Sequence, residues 1–271
     1  MQHIKRWITA LILIPILLWI IIKGNAFLFS VLVAIVSISA FHEYLKIIFG
    51  KDEESISNTI KAISYTVSTA IIFSAYRGSW EMLFLVLALN LMALSIFVLS
   101  GFVANHSIFD IISKQILGVF YIPVSLSLLI FIKGLDGGIF WIIWLLIVIF
   151  ANDTGAFYSG TFLGKNALAP NISPNKTIEG SLGGMAASMA TGFIFCQYFF
   201  NDLSLSFIVL PMSFILAIAG QIGDLFESAM KRASSIKESG RILPGHGGML
   251  DRIDGLLLAI PVLYGCLVFL L

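Results

Sequence analysis

The sequence predicts an all-α, polytopic integral membrane protein with about nine transmembrane helices. Apolar runs long enough to approach or cross a ~30 Å hydrocarbon layer recur along the whole 271 residues. Hydrophobic residues make up 59% of the chain and charged residues only 11%, well outside the range of an ordinary soluble domain. The few lysines and arginines also fall mostly on one side of the apolar runs, as the positive-inside rule requires of a spanning protein.

The runs lie roughly at 7–23, 26–45, 60–76, 81–103, 115–133, 138–158, 181–200, 206–228 and 253–271. The first follows Lys5-Arg6 but continues through Trp19 and Ile22 without a small-residue cleavage site, so it is expected to be a span and not a signal peptide. With the N-terminus inside, only Lys23, Arg77 and Lys133 of the chain's 16 basic residues fall on the outer side. The same topology puts the polar loops 152–180 and 229–252 on the cytoplasmic side. One membrane domain, 1–271, is expected, with 1–149 mainly scaffold and 150–271 carrying the active site. His42 and Glu43, at a span end, are read as interfacial or packing groups. Cys196 and Cys266 lie inside predicted spans without metal-ligand spacing and are read as packing residues. A net charge of +1 and the lack of a basic arm give no sign of nucleic-acid binding.

The charges concentrate between Asp224 and Asp254. At 100° per residue, Asp224, Ser228 and Lys231 lie within about 60° of one another on a helix, with Glu227 flanking and Arg232 adjacent. A carboxylate as deep as Asp224, beside Gly220 and Gly223, needs a partner, and a metal ion is a natural one. The run Leu243-Pro244-Gly245-His246-Gly247-Gly248 has the glycines that let backbone N–H groups turn inward around an anion. Asp251-Arg252-Ile253-Asp254 then opens the ninth span with two carboxylates on one helix face. Mg²⁺ is commonly held by one or two carboxylates plus substrate phosphates. In the other loop, Ser173-Pro174 reads as an N-cap and first helical turn, which would put Lys176 in that turn, where a cation calls for a nearby anion. Asp153 is either a cap or a ligand. Gly180 and Gly184 have the spacing of helix packing.

The stretch S-A-M-K-R, four residues, then K-E-S-G-R-I-L-P-G-H-G-G-M-L-D-R-I-D, from Ser228 to Asp254, resembles the signature of the phosphatidate cytidylyltransferases, also called CDP-diacylglycerol synthases. The D-T-G-A segment at Asp153 and S-P-N-K-T-I-E-G at Ser173 are similar to that family too. One departure is Glu238, where the family usually has aspartate. The resemblance implies joining CTP and phosphatidic acid to give CDP-diacylglycerol and pyrophosphate, with Mg²⁺ required. It further implies that Asp224 and Asp251 are metal ligands, that a monovalent cation such as K⁺ can accompany the Mg²⁺, and that the protein is a homodimer.

On this reading Asp254 supports the metal. Lys176, Lys231, Arg232 and Arg252 contact phosphates, with Asp153, Gly247 and Gly248 contributing to substrate binding. Ser228 and His246 serve as positioning donors, a Ser–His catalytic pair being the alternative. Two other functions are weighed against it: a CTP-dependent lipid-alcohol kinase, which would need a base such as His246 or Asp153, and a cation-coupled transporter. The charges cluster at one face and not at the midplane, which disfavours the transporter.

Overall fold

The computed structural model of the chain describes residues 2–49, 58–100, 107–200, 203–236, 239–240 and 247–270. Among them are ten α-helices, one π-helical turn and one two-stranded hairpin. Their contacts divide into two compact units, one made of 1–135 with 233–252 and the other of 136–232 with 253–271.

The first unit holds α1 (Gln2–Lys23), α2 (Ala26–Phe49), α3 (Asn58–Tyr76), α4 (Trp80–Ser100), α5 (Ser107–Val119) and α6 (Ser125–Lys133). Short polar signals set the helix ends. Asn25 Oδ1 accepts the Leu28 N–H and Ser79 Oγ the Met82 N–H, so each caps the helix that follows it. Lys133 Nζ donates to the Ile20 and Gly24 carbonyls at 3.2 and 2.9 Å, satisfying acceptors left open where α1 ends. Pro123 has no N–H to offer, and the backbone around it widens into a π turn, Phe120–Val124, between α5 and α6. Buried polar pairs tie these helices together: Asn90 with Gln115 through two amide bonds, Ser37 with Ser68, and Tyr44 Oη donating to the Lys114 carbonyl.

The second unit contains α7 (Gly138–Leu163), strands β1 (Ala167–Ala169) and β2 (Ser173–Thr177), and α8 (Ile178–Phe200). It also includes most of α9 (Leu203–Ala233) and of α10 (Leu250–Leu270). Helices α7 and α8 pack through small residues. A Cβ on Gly155 would lie 2.6 Å from the Ala187 Cβ, and one on Gly180 would lie 2.8 Å from the Ala156 carbonyl. The Gly180/Gly184 spacing is thus a packing seam, as expected from sequence. Trp144 Nε1 donates to the Gly192 carbonyl across the same seam.

Two local expectations are corrected here. Asn152 and Asp153 do not end a helix, because α7 runs on to Leu163, so Asp153 is not a cap. Nor does Ser173-Pro174 start a helix. The residue before a proline favours extended backbone, and Ser173–Thr177 pairs antiparallel with Ala167–Ala169. The helix starts at Ile178, capped by Thr177, whose Oγ1 accepts the Gly180 N–H at 3.0 Å. Lys176 therefore stands on a strand.

Among the described residues six helical stretches are long and apolar enough to cross a membrane: Ala26–Phe49, Trp80–Ser100, Phe109–Lys133, Gly138–Leu163, Leu205–Ala233 and Leu250–Leu270. Apart from one hairpin, the described residues form the helices of an all-α membrane protein. Helices α1, α3 and α8, expected as spans, fall outside the six, α1 carrying only a shorter apolar stretch, Leu13–Lys23. The other two are rich in serine and threonine in α3 and in glycine, alanine and serine in α8. No disulfide joins Cys196 and Cys266, and Cys196 is buried.

Candidate active site

In the second unit a cavity of about 420 Å³ opens between α7, the hairpin, α8 and α9. Its polar lining includes Asp153, Asn175, Lys176, Ser181, Gln221 and Asp224, and Phe157, Leu168 and Leu225 supply apolar wall. Pockets of this size hold nucleotide- or headgroup-sized ligands.

Each polar group arrives from a different element. The strand β2 delivers Lys176, whose Nζ pairs with Asp224 Oδ2 of α9 at 2.5 Å. The pair is neither buried nor fully solvated, with side chains 29% and 37% exposed. Beneath it Gln221 links three helices. Its Nε2 donates to Asn152 Oδ1 at 2.9 Å and to the Ser181 carbonyl at 3.0 Å, and its Oε1 accepts from Ser181 Oγ. The hairpin is anchored by Glu179, which accepts the Lys165 and Asn166 N–H groups and the Asn166 side-chain amide. Those backbone donors, the Lys165 N–H first, hold the Glu179 carboxyl down to about 2. Arg232 Nε donates to the Ile172 carbonyl at 3.2 Å, fastening the turn of the hairpin.

Asp254 also belongs to this unit. Its Oδ1 accepts the Gly255 N–H at 2.7 Å, and its carboxylate lies within electrostatic range of Asp224, Asp153 and Lys231. Lys231 pairs with the fully buried Glu227 one turn earlier on α9, and Ser228 is half-buried on the same helix.

Asp251 and Arg252 lie in the first unit, as do Gly247 and Gly248. Arg252 is exposed. Asp251 Oδ2 accepts the Gly248 N–H at 3.0 Å and the Ser239 N–H at 3.2 Å. The Gly248 N–H, expected to face a substrate anion, is thus directed at the chain's own carboxylate. Gly247 adopts the left-handed backbone, with φ at +84°, which glycine alone takes without strain. His246 and Glu238 lie outside the described residues.

The family model described as the cytidylyltransferase family matches residues 4–270. The chain belongs to the cytidylyltransferase family. Among its relatives, the phosphatidate cytidylyltransferase of Staphylococcus aureus (strain COL) is 33% identical over 259 residues, covering 95% of this chain and 96% of the relative. That of Staphylococcus haemolyticus is 34% identical over 265 residues, with the same coverage. That of Staphylococcus epidermidis is 33% identical over 261 residues, again at 95% and 96%.

For a cytidylyltransferase the cavity has suitable chemistry. Asp153 and Asp224 line the cavity with Lys176, and Asp254 lies within electrostatic range of both aspartates and of Lys231; carboxylate oxygens of this kind are the hard donors a divalent cation takes. Among the described residues, no three of His, Cys, Asp and Glu converge closely enough to hold a metal ion unaided. The sequence reading missed Gln221, Ser181 and Asn175. Gln221 had a readable signal: it precedes Asp224 by three residues, so it shares that face of α9.

Proposed function

We propose that the protein joins CTP and phosphatidic acid to give CDP-diacylglycerol and pyrophosphate, in phospholipid biosynthesis. Membership of the cytidylyltransferase family over 4–270 carries this reading, and the Lys176–Asp224 cavity supports it. The phosphate of phosphatidic acid attacks the α-phosphorus of CTP in line, an O–P bond forms, and the bond to pyrophosphate breaks. A phosphate monoester has a second pKa of about 6, by analogy with phosphorylated side chains, so the nucleophile is ionised near neutral pH without a strong base. The work left to the protein is to hold two polyanions in line and offset the charge moving to the leaving group.

Lys176 is placed to leave Asp224 and contact a phosphate, and Asn175, Ser181 and Gln221 to orient it. Asp224, with Asp254 in support, would hold Mg²⁺, which when bound neutralises phosphate charge. K⁺ beside it is a further proposal. Asp251 would be a further ligand to the Mg²⁺, as the resemblance implies, and Asp251→Asn tests it. Arg232 and Lys231 serve first to fasten the hairpin and to neutralise Glu227. We further infer nine spans with the N-terminus and the active site on the cytoplasmic side of a bacterial inner membrane, and a homodimeric assembly. Product analysis tests the function: purified protein given phosphatidic acid, CTP and Mg²⁺ should release pyrophosphate. Release of CDP would instead establish a lipid kinase.

A further inference from the structure

Glu43 sits on α2, in the part of the chain that the sequence marks as scaffold. Of the two readings, interfacial or packing, the structure favours packing, since only 1% of its surface is exposed. Its Oε2 accepts the Leu250 N–H at 2.8 Å and Ser239 Oγ at 3.2 Å, from partners 207 and 196 residues away in sequence. Its Oε1 has no hydrogen-bond partner among the described residues. Leu250 is the first residue of α10, so its N–H is one of the donors a helix leaves open at its start. Glu43 thus caps α10 from a distant part of the chain, with its negative charge at the favourable end of the helix dipole.

On either side of Glu43, Ser239 and Gly240 and then Gly248 to Leu250 are fitted to this carboxylate. A Cβ on Gly240 would collide with Glu43 Oε1. One on Gly248 would collide with Ser239 Oγ and lie 2.6 Å from Glu43 Oε2. Asp251 binds the same segment a second time, through the Ser239 and Gly248 N–H groups. Two carboxylates therefore share Ser239, one holding its hydroxyl and the other its amide. A carboxylate buried this completely is costly to keep unless its bonds are needed.

We propose that Glu43 is a positioning residue for cytidylyl transfer. It fixes both ends of the 239–250 segment and thereby the placement of Gly247, Gly248 and Asp251. Glu43 does not touch the substrate on this account; it acts through the segment. Its kinetic consequence rests on the cytidylyl-transfer reading, whereas its effect on the segment does not.

The test uses the full-length protein in detergent micelles with Glu43→Gln, Glu43→Leu and Ser239→Ala, following melting, backbone amide exchange and turnover per folded enzyme. Exchange across 239–250 should accelerate about tenfold or more in the Glu43 variants, with α7 and α8 unchanged. Turnover should fall about tenfold or more in Glu43→Leu, less in Glu43→Gln, which keeps one acceptor oxygen, and least in Ser239→Ala. The KM for phosphatidic acid should stay within about twofold, because the substrate contacts are not removed. If Glu43→Leu does not fold, the other two variants carry the test. Unchanged exchange in 239–250, or normal turnover despite faster exchange, would overturn the role of Glu43. Wild-type protein that transfers no cytidylyl group would overturn the functional reading, and the kinetic role with it.

Discussion

Asp224 and Asp251 look alike in sequence, each an aspartate near a span end among glycines and bases, yet the structure holds them in opposite ways. Asp224 faces a cavity and pairs with one lysine side chain on a strand, both of them partly exposed. Asp251 is wrapped by backbone, accepting two N–H groups from a segment that Glu43 holds from the other side. A lysine can swing to a phosphate and leave the carboxylate to a cation. Backbone amides cannot, because they are fixed by the course of the chain. The first arrangement suits exchange of ligands and the second suits permanent organisation.

That contrast makes separable predictions. The largest effect belongs to Asp251→Asn, where turnover and stability should fall together. Loss of a part-buried charged acceptor for two backbone donors costs about 1–3 kcal/mol, readable as a lower melting temperature beside an activity loss of about a hundredfold or more. A variant with normal turnover would remove Asp251 from the reaction. Lys176→Met should be next, lowering turnover by about tenfold to a hundredfold. Its melting temperature should move little, because an ion pair whose side chains are about one third exposed contributes on the order of 1 kcal/mol.

Gly248→Ala should lower stability, and turnover with it, by displacing Ser239 and Glu43. Its new methyl meets Ser239 Oγ and Glu43, and overpacking of this kind costs about 1–3 kcal/mol, measurable by thermal unfolding. The smallest effect is expected from Glu179→Gln, a few-fold loss of turnover through a loosened hairpin. The Glu179 carboxyl titrates at about 2 in the folded protein against an ordinary 4.5. Its anchoring is therefore fully present above about pH 4.5 and lost as pH falls toward 2. Amide exchange at Lys165 and Asn166 across that range should show the loss in the parent and not in Glu179→Gln.

How much of this was legible in the sequence differs between the two regions. Helix positions followed from apolar runs, and Asp224 and Asp254 from the grouping of charges on α9 and α10. The hairpin was not legible, because Ser173-Pro174 satisfies the rules for a helix start as well as those for an extended edge. Its partner, Ala167–Ala169, is too short to show alternation. Glu43 was hidden for a different reason. Its partners lie about two hundred residues away in sequence, and a glutamate at a span end resembles an interfacial group until its burial is seen. The glycines of the signature pointed to an anion, and the anions that Gly240 and Gly248 meet are the protein's own carboxylates.

The most direct measurement is transfer of label from CTP labelled at the α-phosphate into lipid, run on wild type and Asp224→Asn with melting recorded on the same samples. Wild type should place label in the lipid phase and release pyrophosphate, while Asp224→Asn should lose about a hundredfold or more of that transfer at an unchanged melting temperature. Near-normal transfer by Asp224→Asn would contradict the account, because the exchangeable carboxylate of the cavity would then not serve the reaction.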